Sequence, residues 1–77
     1  MDEKFRNLYD VQQLLKRFGI FVHLGNRLWD IELMHEELRK IHDARLIDDQ
    51  VFRSAALVLK REHRLEAEHP ENNMFHD

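Results

Sequence analysis

The sequence predicts an all-α protein, a three-helix bundle with an extended apolar crossover between the first two helices. Three observations carry that expectation. Apolar residues recur at helical spacing in three separate stretches, no two segments have the alternation of paired strands, and the chain of 77 residues has room for one small domain only.

The first helix is read from Val11, Leu14, Leu15 and Phe18, which follow the i, i+3, i+4, i+7 rule and make one apolar stripe. Asp10 is the expected cap at its start, with Gln13 completing a capping box, and Gly19 supplies the left-handed residue that ends it. The second helix is expected to begin near Asp30 and to present Ile31, Met34, Leu38 and Ile41 on one face as far as about Ala44. The third follows "LIDD", where Asp48 and Asp49 suit the positive end of a helix dipole. It runs through Phe52, Ala55, Ala56 and Leu59 to about Glu68, with Pro70 as its stop.

Only the short segment "ARLIDD" joins the second and third helices, so they are expected to lie antiparallel with Leu46 and Ile47 beneath the turn. No repeat and no linker rich in glycine, serine or proline interrupts the chain. Residues 1–69 are read as a single three-helix domain, and 70–77, "PENNMFHD", as a flexible C-terminal tail.

A domain this short hides only roughly 60 to 65 % of the surface its unfolded chain exposes, so a second subunit would widen a thin stability margin. With no cysteine, disulfides and thiolate sites are excluded, which suits a reducing compartment. The charged opening "MDEKFRNLYD" lacks the apolar run of a signal peptide or membrane span. A cytoplasmic location without membrane association is the expectation.

Chemistry is sparse. One serine, Ser54, no threonine and one tyrosine, Tyr9, leave almost no hydroxyl nucleophiles, and no spacing suggests a triad around Ser54. The stretch "FGIFVHLGN" holds two glycines but lacks the lysine and hydroxyl of a phosphate-binding loop. No enzymatic role, cofactor or small-molecule substrate is inferred. Histidines are plentiful, six in all, yet badly spaced for a metal. His35 and His42 lie two turns apart, roughly 10 Å along a helix axis, and position 39 is Arg where a His-Glu-x-x-His zinc motif needs its second histidine. His63, His69 and His76 are scattered toward the C-terminus.

The crossover and its flanks hold the densest mixture of aromatic and basic groups. Net charge is −3, unlike the basic balance usual for nucleic-acid binders. The distribution is nonetheless uneven: residues 1–29 carry five Lys/Arg against three acids, and residues 30–50 three against seven. Lys16, Arg17, Phe21, His23, Arg27 and Trp29 combine rings for base stacking with cations for phosphates, the two ingredients of single-strand binding. The plainer reading is that the apolar crossover lays Phe21 or its neighbours across the open end of the bundle.

Helical phase raises a further possibility. At about 100° per residue, Trp29 and Leu33 fall almost opposite the Ile31, Met34, Leu38, Ile41 stripe, and Leu57 is turned away from the third helix's stripe. Trp29, Leu33 and Leu57 are therefore candidates for an interface, most simply in a homodimer.

The pieces "YDVQQLLKRFG", "DIELMHEELR" and "LIDDQVFRSAALVLKRE" resemble the YqgQ-like family, short uncharacterised proteins of low-GC Gram-positive bacteria, over about residues 8–63. The resemblance implies a three-helix fold and a suggested role in binding single-stranded RNA or DNA, without a catalytic motif or a residue signature to carry over. The "LIDDQVF" hairpin is also similar, over a much shorter span, to helical-hairpin oligomerisation modules.

Overall fold

The computed structural model describes residues 5–68. The proposed tail 70–77, Pro70, His69 and His76 lie outside them. Three helices make up the fold: α1 (Leu8–Lys16), α2 (Arg27–Asp43) and α3 (Asp49–Glu68). The three-helix expectation holds, and the bounds of α3 match it closely.

Both N-termini start earlier than Asp10 and Asp30 suggested. Asn7 caps α1, its side-chain oxygen accepting from the Asp10 N–H at 3.0 Å. Asp10 is the partner inside the first turn, and its carboxylate reaches back to the Arg6 N–H at 3.0 Å. Asn26 likewise caps α2 by accepting from the Trp29 N–H at 3.0 Å. Asp30 instead accepts from the Leu24 N–H at 2.6 Å, tying the crossover to the first turn of α2. In each case the acid sits three or four residues inside the helix, where it satisfies an orphan donor and complements the dipole.

The helix ends are as legible. Gly19, at φ +77, closes α1 in a Schellman motif: the Ile20 N–H donates to the Leu15 carbonyl and the Gly19 N–H to that of Lys16, both at 3.0 Å. The end of α2 repeats the pattern with Arg45 in the left-handed position, at φ 64. The Leu46 N–H donates to the Ile41 carbonyl and the Arg45 N–H to that of His42, both at 2.9 Å. A side chain in that conformation is strained where glycine is not.

Helices α2 and α3 form the main interface, and α1 leans on both. Ile31, Met34, Leu38 and Ile41 are buried together with Leu8, Val11, Leu14 and Leu15 of α1 and Ala55, Val58 and Leu59 of α3. Phe52 and Ala56 pack from the edge, half-buried. Full burial of a Leu or Met side chain is worth about 1.5 to 3 kcal/mol, so this seam is the main source of stability.

Three expectations about packing need correction. Phe18 lies beyond the last turn of α1, on the exposed side of the Gly19 reversal, and does not extend the buried stripe. Leu33 is not turned fully away from the core but packs partly against it, because the bundle wraps more of α2 than a single stripe. Beneath the α2–α3 turn, Ile47 does pack on the core, whereas Leu46 is exposed. Leu57 stands out in solvent, as its phase suggested. Among the described residues, no helix is long and apolar enough to cross a membrane.

Candidate functional site

The crossover owes its path to two glycines and one carboxylate. Gly19 reverses the chain off α1, Gly25 at φ +91 turns it into α2, and Asp30 holds the Leu24 N–H between them. Side chains of an extended segment alternate, and this one does so from Ile20 to His23. Ile20 is half-buried and Val22 is 8 % exposed, while Phe21 and His23 point outward. The residue that seals the bundle is therefore Val22, with Ile20, and Phe21 is left 72 % exposed. The β-branched side chain faces the core and the bulkier aromatic faces water, the reverse of what size alone suggests.

Between α1 and this segment runs a groove of about 270 Å³, with Gln12, Leu15 and Lys16 on one side and the run Ile20 to His23 on the other. It brings Lys16, Phe21 and His23 together around an apolar floor. Arg17 is exposed just beyond Lys16. Gln12 belongs to this site and was not singled out in the sequence, although its position one turn before Lys16 on α1 was a usable signal.

Trp29 and Arg27 are placed apart from the groove, on the first turn of α2. Trp29 is 60 % exposed. Arg27 turns toward α3, its Nη2 lying 3.6 Å from Glu62 Oε1 and its Nε 3.3 Å from Glu66 Oε1. Glu66 is buried, and a carboxylate removed from water needs such a cation. Arg27 is thus a strut between α2 and α3, its guanidinium facing two carboxylates.

Two histidines join helices at other points. His42 stacks on Phe52, ring centroids 4.1 Å apart, and its Nε2 lies 2.7 Å from Asp49 Oδ1. The hydrogen bond and charge of His42 hold the Asp49 carboxyl below its ordinary pKa. His63 Nε2 lies 3.1 Å from Glu32 Oε2. Among the described residues, no three His, Asp or Glu side chains are gathered to hold a metal ion. Ser54 is half-buried on α3.

The comparisons with known proteins point one way. The YqgQ-like family model matches residues 5–65. An uncharacterised protein, YqgQ of Bacillus subtilis (strain 168), is 44 % identical over 54 residues, which span 70 % of this chain and 76 % of that relative. The matched region takes in α1, α2, the crossover and most of α3, and on this ground the chain belongs to the YqgQ-like family.

Proposed function

We propose that this protein is a non-catalytic binder of single-stranded nucleic acid, RNA or DNA, that engages its ligand at the crossover. The observation that carries the reading is the exposure of Phe21 in the crossover and of Trp29 on the first turn of α2, 72 % and 60 %. Leaving two large rings in water forgoes burial worth about 1.5 to 3 kcal/mol for a side chain of this size. A base stacked on such a ring returns about 1 to 3 kcal/mol and tolerates any sequence, because every base has a π face. Lys16, Arg17 and His23 stand where the linking phosphates would run, and the rigid tie from Asp30 to Leu24 lowers the ordering cost of binding.

This reading assigns the crossover about two phosphate contacts. At about −0.7 per contact for single strands, the slope of log K against log salt is then roughly −1.4. A fluorescence titration of the single tryptophan with oligo-U and oligo-dT at two salt concentrations tests this. Quenching that saturates and weakens with salt supports the reading; emission that ignores both oligonucleotides at low salt removes it.

Self-association is the second reading, favoured by Leu57, which is 67 % exposed. In this reading Trp29, Leu33 and Leu57 meet a second copy, and the protein acts as an interaction module in a homodimer. Leu57 is flanked on its helix face by Arg53, Lys60, Arg61 and Arg64, however, and a two-fold interface sets each such cation near its own copy. Light scattering separates the two: a salt-insensitive dimer that Leu57→Glu dissociates supports this module, and a monomer at high concentration rules it out.

A further inference from the structure

A second concavity lies away from the crossover groove, between the two longer helices. It is a groove of about 230 Å³ between α2 and α3, floored by Ile31 and Leu59 and walled by Glu32, His35, Lys60 and His63. The His63–Glu32 pair at 3.1 Å bridges the helices on one side, and Arg39 Nη2 lies 3.4 Å from His35 Nδ1 on α2. Burial holds the His35 pKa below its ordinary value, and the charges of Arg39, Lys60 and His63 push it the same way. His35 is therefore a neutral flat ring at neutral pH, with cations on both helices beside it.

Outward from Lys60, α3 carries Arg53, Lys60 and Arg64 on one exposed face, spanning about 16 Å along the axis at 1.5 Å per residue. The acids of that stretch do not neutralise the face, because Glu62 and Glu66 turn inward to Arg27. The net charge of −3 conceals this ridge, since it averages it with the acids of α2.

We infer that the α2–α3 groove is a second nucleobase subsite: one unpaired base lies over Ile31 and Leu59 against His35 and His63, and the adjoining phosphates rest on Lys60 and Arg64. The inference rests on the reading of the chain as a single-strand binder and extends its track. The groove is smaller than the 300 to 1,000 Å³ usual for drug-sized ligands and matches a single flat heterocycle. Histidine rings stack on splayed bases, and a carboxylate such as Glu32 accepts from an exocyclic amino group such as that of cytosine. An acidic peptide would meet Glu32 unfavourably and gain little from the apolar floor. Trp29 and Glu32 stand at i and i+3 on α2, so they are surface neighbours, and a strand stacked on Trp29 reaches the groove without leaving the protein.

The test records the methyl resonances of Ile31 and Leu59 by NMR, with Trp29 fluorescence on the same samples, as oligo-dC or inorganic polyphosphate is added. The oligonucleotide is expected to shift both methyl sets upfield through ring currents and to quench Trp29; polyphosphate, having no rings, leaves the methyls in place. The exposed double variant Lys60→Gln, Arg64→Gln is expected to lower the salt slope by about 1.4, two contacts at about 0.7 each, while quenching at Trp29 persists. Quenching without methyl shifts overturns the groove and leaves the crossover reading standing. Silence from both probes overturns both. Equal shifts with polyphosphate reduce the groove to an anion site and overturn the base subsite. Methyl shifts without quenching support the groove and overturn the crossover.

Discussion

The seam between α2 and α3 and the crossover between α1 and α2 are both rich in apolar residues, yet they use them in opposite ways. In the seam, Met34, Leu38 and Ala55 are wholly buried, and each residue is held by helical phase on a face that another helix covers. In the crossover only Val22 is buried outright, while Phe21 and Leu24 are 72 % and 55 % exposed. Hydrophobicity is therefore a poor guide to burial in this chain, and backbone periodicity is a good one. A period of two puts Phe21 and His23 outside, whatever their chemistry, and Leu24, which shares the inward parity of Val22, is exposed where the chain turns at Gly25.

The sharpest way to break that contrast is to truncate one residue from each region. Leu38→Ala is expected to cost about 2 to 5 kcal/mol in chemical denaturation, the range for deleting a large buried side chain. Phe21→Ala is expected to fall within about ±0.5 kcal/mol, as for surface positions. A large loss at Phe21 would mean that the ring supports the fold, and the ligand-binding argument would lose its premise. Arg27→Ala comes next, at about 1 to 3 kcal/mol, between the values for exposed and buried ion pairs, because it takes a cation away from the buried Glu66. Val22→Ala should cost about 1 to 2 kcal/mol for the methyl groups it removes, the share supplied by the crossover's most deeply buried residue.

A smaller effect compares the two Schellman ends. Gly19 occupies its left-handed position without strain, and Arg45 does not. Arg45→Gly is expected to stabilise the protein by up to about 1 kcal/mol, since a Cβ in that region costs roughly 1 to 2 kcal/mol and glycine returns part of this as unfolded-state entropy. The smallest effect is in pH. His35 has a folded pKa below its unfolded value, so its contribution is fully present above about pH 6.5 and is lost as pH falls through the folded value. Asp49 acts in the same direction at lower pH: its folded pKa is also depressed, and its contribution goes as pH drops below the ordinary carboxylate range. Denaturation midpoints from pH 7 to 5 should decline in the parent and flatten in His35→Gln.

Much of the fold was legible because amphipathic phase is a repeated signal. Ile31, Met34, Leu38 and Ile41 reinforce one another, and the same holds for α1 up to Leu15. Single-residue decisions were harder. Asn7 and Asp10 are both good caps, and they are partners in one capping arrangement; only the backbone shows which lies outside the helix. Asn26 and Asp30 posed the same ambiguity. Phe18 continued the stripe on paper, but the helix had already unwound into the Gly19 turn. In the candidate site, the exposure of Trp29 followed from its phase. The pairing of Arg27 with Glu62 and Glu66 joins residues more than thirty positions apart, and no local pattern encodes it. The α2–α3 groove was missed for the same reason, since its walls come from two helices.

The solvent-bathed setting of Trp29 has a practical corollary. An indole that faces water in the native state faces much the same medium once the chain is denatured, so its emission maximum should barely move through the melting transition. Fluorescence is then nearly blind to the integrity of this protein and correspondingly clean as a detector of whatever settles on its surface, which leaves circular dichroism to follow the helices.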